Sequence, residues 1–155
     1  MKAVIQRVLN SSVTVGGETV GKIEKGCLVL LGVMDGDTEK EAKLMADKVS
    51  SLRIFEDENE KMNLSVKDVD GEILVVSQFT LCADVHKGNR PSFTPSAAPE
   101  TAKNLYIYFM EMLKENGIKK VEHGIFGADM KVSILNDGPC TILFNTDEWA
   151  RGKKQ

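Results

Sequence analysis

The feature that most restricts the fold is a short run that changes character halfway along. Ile73-Leu74-Val75-Val76 is apolar and rich in branched side chains, and Ser77-Gln78-Phe79-Thr80 follows it at once. A brief apolar run without alternation reads as a strand buried on both faces, the kind found inside α/β sheets. Polar groups at the end of such a strand must be hydrogen-bonded or put to use. Functional sites often lie where a rigid core strand runs out. Taken alone, the stretch is read more simply as a strand end whose Ser77 and Thr80 cap a turn.

The remainder of the chain supplies a sheet and helices to surround that strand. Its 155 residues suffice for one domain with a real core. Lys2–Val8 alternates, with Ala3, Ile5 and Arg7 on one face and Val4 and Val8 on the other, which predicts a strand. Arg7 is unusual on so apolar a strand: it is either an edge-facing surface cation or one holding something rigid near a site. Ser12–Val15 and Glu18–Ile23 flank Gly16-Gly17 as a hairpin, and Cys27–Met34 is a second buried strand. Thr38 with Glu41 forms a capping box ahead of a helical stripe, Ala42, Met45, Ala46, Val49 and Leu52. Leu52–Phe55 returns as a strand. Pro99 opens a second helix with Ala102, Leu105, Tyr106, Phe109, Met112 and Leu113 on its stripe, and Asn116-Gly117 closes it. Lys119–Glu122, Lys131–Leu135 and Cys140–Asn145 are further strands. The expected architecture is one α/β domain over residues 1–146, with mixed sheets, barrel-like or two-layer, flanked by two main helices. Residues 147–155 form a polar, mobile tail.

Two connections stand out. Ala83–Pro99 is long, rich in proline and glycine, and carries Lys87 and Arg90 beside His86. A loop of that length without periodicity is functional or disordered, and its cations suit an anion. Asn136-Asp137-Gly138-Pro139-Cys140-Thr141 joins the last two strands. Proline cannot donate to a sheet ladder, so Gly138-Pro139 lies at a turn or bulge, and a plain hairpin turn is the simplest reading. The bare carbonyls there would present main chain to a ligand.

Composition excludes several classes. The net charge is −3, so any RNA partner must be met by a local patch, and no DNA partner is expected. No run is long and apolar enough to span a membrane, and MKAVIQRV lacks a signal-peptide core, so a cytoplasmic protein is expected. Cys27, Cys82 and Cys140 are odd in number and widely spaced, which indicates neither a disulfide framework nor a zinc site. No metal or other cofactor is expected. His123–Met130 is glycine-rich but lacks the spacing of a dinucleotide or phosphate loop.

Ser77-Gln78-Phe79-Thr80-Leu81 together with Asn136-x-Gly138-Pro139-x-Thr141 resembles the D-aminoacyl-tRNA deacylase family. The likeness extends to Ala3–Val8 with Arg7, Asn63-Leu64, Gly88-x-Arg90-Pro91-Ser92-Phe93 and Phe126-Gly127-Ala128. His123 departs from it, standing where a hydroxyl residue is expected. The resemblance implies a homodimer that cleaves the ester between a D-amino acid and the terminal ribose of tRNA. Gly138-Pro139 would be a cis dipeptide reaching into the partner subunit's pocket, braced by Arg7, with Asn136 and Met130 also in the selecting site. An L side chain would clash with the carbonyls, whereas glycine would not be rejected.

Ester hydrolysis requires a nucleophile, a proton path and donors for an oxyanion. The family motif places Thr80 at the reacting carbon, with Ser77, Gln78 and Phe79 as the other catalytic candidates and Gln78 lining the adenosine pocket, but no base sits in an evident partnership with Thr80. Main-chain N–H groups of Phe79 and Thr80 are better suited as the oxyanion hole, with the substrate 2′-OH assisting water. Lys87, Arg90 and Phe93 are the RNA-contacting candidates. Three rivals are a cysteine hydrolase using Cys82 or Cys140, a non-catalytic tRNA-end binder, and a structural dimer.

Overall fold

The computed structural model describes residues 1–151. Strand β1 (Lys2–Val15) is the spine, long enough to pair with three others. β3 (Gly26–Gly32) runs antiparallel to its first half, from Lys2↔Gly32 to Val8↔Gly26. β2 (Glu18–Ile23) folds back on its second half through the Gly16-Gly17 turn. β6 (Glu72–Ser77) adds in parallel to β3, and β7 (Val121–His123) in parallel to β6. The order is therefore β2-β1-β3-β6-β7, with β8 (Lys131–Asn145) along the other side of β1. A small separate pair, β4 (Phe55–Glu56) and β5 (Met62–Leu64), completes the strands.

The apolar run at Ile73 is the divider between two cores. Side chains alternate across a strand. Ile73 and Val75 enter one cluster with Cys27, Val29 and Leu31 of β3 and with helices α1 (Glu39–Ser51) and α2 (Pro99–Glu115). Leu74 and Val76 enter a second cluster with Val8, Val13, Ile23 and Leu28, on the inside of the curled sheet. Burial on both faces explains the absence of any polar position in the run. The fold is the expected single α/β domain with two main helices. α1 starts at the capping box: the Glu41 carboxylate accepts from the Thr38 N–H at 2.8 Å and from its hydroxyl at 2.6 Å. The hydroxyl bond holds the Glu41 carboxyl below its ordinary range.

Three expectations are corrected. The last two strands are not joined by a turn: both halves of β8 run antiparallel to β1 in one direction. Gln6 pairs with Thr141 and Val8 with Asn136, so residues 137–140 stand opposite Arg7 alone as a bulge. Pro139 has no N–H for the ladder, so the chain leaves the sheet there and rejoins it. The strand expected at Leu52–Phe55 begins only at Phe55, because the carbonyl of Ile54 is taken by Arg7 Nη1 at 2.7 Å. The start of the presumed tail is instead a short helix, α3 (Thr146–Arg151). Trp149 gives it an apolar anchor, with its ring edge-on to Phe144 at 5.1 Å. The rest of that segment, 152–155, lies outside the described residues. No described helix is long and apolar enough to cross a membrane.

Candidate functional site

At the end of β6 the chain keeps its hold on β3 for one more residue. The Gln78 N–H donates to the Leu31 carbonyl at 2.8 Å. The backbone then winds into a single 3-10 turn, Phe79–Cys82, whose first bond runs from Leu81 N–H to the Gln78 carbonyl at 3.2 Å. Cys82 Sγ donates to the Val33 carbonyl at 3.4 Å and pins the far side of the turn. Within such a turn the N–H groups of Phe79 and Thr80 precede the first bond and have no carbonyl to meet.

A cleft of about 510 Å³ opens beside this turn. Ser77, Gln78 and Phe79 line it together with Leu31 of β3, Val33 just beyond that strand, and Met130. Four of the sequence-derived site residues thus share one cavity. Thr80 stands outside the lining, exposed on the rim, with its hydroxyl accepting from Gln78 Nε2. The start of α2 and the Phe126–Ala128 loop complete the walls. Sequence reading did not place Val33, Ala97 or Ala102 there. Val33 follows the end of β3, Ala97 lies in the loop before α2 and Ala102 in its first turns, and only folding brings these positions together.

Gly138-Pro139 lies elsewhere on the surface. Both residues are exposed, the peptide between them is cis, and neither is among the residues lining this cleft. Arg7, only 6 % exposed, reaches the bulge from beneath. Its Nε donates to the Asp137 carbonyl at 3.0 Å and stands 3.4 Å from the Asp137 carboxylate, while Nη1 holds Ile54. A planar guanidinium can serve both sides at once, as a lysine cannot. Asn136 closes the mouth of the bulge. Its Nδ2 donates to the carbonyls of Arg7 at 2.9 Å and Cys140 at 3.0 Å. That amide holds the protein's own backbone.

The long loop is ordered by a two-way bridge: Asp84 N–H to the Ser92 carbonyl at 2.7 Å, and Ser92 N–H to the Asp84 carbonyl at 2.9 Å. Lys87 and Arg90 lie exposed on the lobe beyond it. Phe93 folds back on Phe79, edge to face at 5.0 Å, and ties the loop to the cleft rim. His86 bonds Asp84 at 2.7 Å and His123 bonds the Gly124 carbonyl at 2.6 Å, so each imidazole is engaged. All three cysteines are buried. Burial pushes the Cys27 thiol up to about 12 and raises that of Cys82. These are the surroundings of unreactive thiols.

Comparisons with known proteins give the family and the fold. The family model described as D-Tyr-tRNA(Tyr) deacylase matches residues 4–145. A D-aminoacyl-tRNA deacylase of Koribacter versatilis is 56 % identical over 146 residues, covering 94 % of this chain and 97 % of that protein. The solved structure of a c-Myc DNA Unwinding Element Binding Protein superposes with a TM-score of 0.89 at 48 % identity, covering 94 % of this chain and 98 % of the other. A probable eukaryotic D-amino acid tRNA deacylase shares the fold at 18 % identity, with a TM-score of 0.80 over 92 % of this chain and 97 % of the other. With its motifs in one fold and a match running almost end to end, the chain belongs to the D-Tyr-tRNA(Tyr) deacylase family.

Proposed function

We propose that this protein hydrolyses the ester of D-aminoacyl-tRNA, releasing the free D-amino acid and the tRNA, as a homodimer. The observation that carries the reading is the separation of two halves of a site on one chain. A cleft lies at the end of β6 beside a turn whose first hydrogen bond begins only at the Leu81 N–H, and the exposed Gly138-Pro139 bulge of β8 is not among the residues that line it. Each half is completed if the bulge of one subunit enters the cleft of the other.

In that arrangement the bulge carbonyls face the Cα of the bound aminoacyl group. A D side chain points away from them and an L side chain points into them. Exclusion by backbone is sharp because backbone cannot yield as a side chain does. Glycine has nothing to exclude, so glycyl-tRNA is also a substrate. Arg7 and Asn136 hold the bulge in place. The Phe79 and Thr80 N–H groups receive the oxyanion, a role in which one donor contributes on the order of 3 kcal/mol. Water attacks with help from the ribose 2′-OH, since the one carboxylate lining the cleft, Asp129, is held by Lys131 Nζ at 2.9 Å. Lys87 and Arg90 meet phosphates of the tRNA end, and the Phe79–Phe93 pair offers a ring face to a base.

The test is to incubate the protein with matched D- and L-aminoacyl-tRNA and count released amino acid. Rapid release from the D form alone is expected. Equal release from both, or none from either, overturns the proposal.

A further inference from the structure

We propose that Gly32 is a positioning residue for the reaction: its missing side chain is the socket that seats the 3-10 turn carrying Phe79 and Thr80. The inference rests on the reading of that turn as the oxyanion-binding element. Gly32 closes β3, one residue past Leu31, whose carbonyl holds the Gln78 N–H, and one before Val33, whose carbonyl holds Cys82 Sγ. A Cβ built on Gly32 meets Leu81 Cβ at 3.0 Å, the Gln78 carbonyl oxygen at 3.1 Å and Cys82 Sγ at 3.2 Å. All three atoms belong to the segment that forms the turn. None is the free end of a flexible side chain. One is backbone, one is fixed to backbone, and the sulfur is pinned by its own hydrogen bond.

The backbone of Gly32 is not in the left-handed region, so an alanine there is conformationally admissible. Only space forbids it. What yields is also decided by the fold. β3 is paired with β1 on one side and β6 on the other along its length, and its residues sit in both cores. The 3-10 turn has one face on β3 and its other face at the exposed cleft rim. An added methyl therefore moves the turn by a few tenths of an ångström and leaves the sheet in place. Preorganised donors lose their effect over displacements of that order, and ground-state binding does not.

The experiment compares Gly32→Ala with Val49→Ala, a cavity variant in the core at a residue of α1 that does not line the cleft. Steady-state release from D-aminoacyl-tRNA and thermal unfolding are read for both, with backbone amide NMR shifts for Gly32→Ala. For Gly32→Ala, kcat falls about ten-fold or more and KM stays within about two-fold. The amide shifts concentrate at residues 78–82. Val49→Ala loses thermal stability and keeps kcat. The inference is overturned if Gly32→Ala keeps wild-type kcat, or if its amide shifts spread along β1 and β3 while the turn is unmoved. Should the wild-type chain release nothing, the functional reading fails, and the amide shifts still decide whether Gly32 seats the turn.

Discussion

Gly138 carries two demands that no other residue type meets together. Its φ is 145°, and a Cβ there would stand 2.8 Å from the Cys140 nitrogen and 3.0 Å from Arg7 Nη2. Gly138→Ala therefore strains its own backbone and pushes away the guanidinium that braces the bulge. The strained conformation alone costs on the order of 1–3 kcal/mol. Thermal unfolding should register that loss, and the ratio of D- to L-aminoacyl-tRNA hydrolysis should fall with it. An unchanged ratio would separate the bulge from chiral selection. Arg7 was legible as out of place on an apolar strand, since a buried cation demands partners. Which partners it takes was not, because Ile54 and Asp137 lie 47 and 130 residues away. Asn136 shows the converse. Its motif position was evident, but only the fold reveals that its amide is committed to the carbonyls of Arg7 and Cys140.

Elements divide along the same line. The two main helices and the first hairpin were readable because capping, stripe period and glycine turns are local signals. β8 reads as two strands in sequence, since proline and glycine there mean a break, and a bulge that rejoins the same ladder looks identical. The long loop is the element with a test of its own. The Asp84–Ser92 bridge and the Phe93–Phe79 contact fix its base, and they leave Lys87 and Arg90 on an exposed lobe. If those cations meet phosphates, replacing both with alanine should raise KM and leave kcat near its starting value. Each should also remove about one unit from the salt dependence of binding. A salt slope equal to that of the wild-type chain would place the tRNA on another face.

At the scale of the whole molecule the proposed site belongs to two chains, and mixing them makes that measurable. One chain carries Pro139→Ala, and the other carries Ala128→Trp to fill the cleft. Each homodimer should be inactive. In an equal mixture about half of the dimers are mixed, and each has one intact site, so about a quarter of wild-type activity should return. No recovery after subunit exchange would mean that each bulge serves its own chain. Local matters are written in the chain itself: which runs are buried, where helices begin, which motifs carry the family likeness. Those follow from periodicity and from the conformational limits of single residues. Folding in three dimensions made β1 a spine for three strands, set Ile73–Val76 between two cores, and brought the ends of β3 and β6 and the start of α2 to one cleft. Each of these joins residues distant along the chain, and such pairings are set by the burial of a common core, which no local stretch of sequence records.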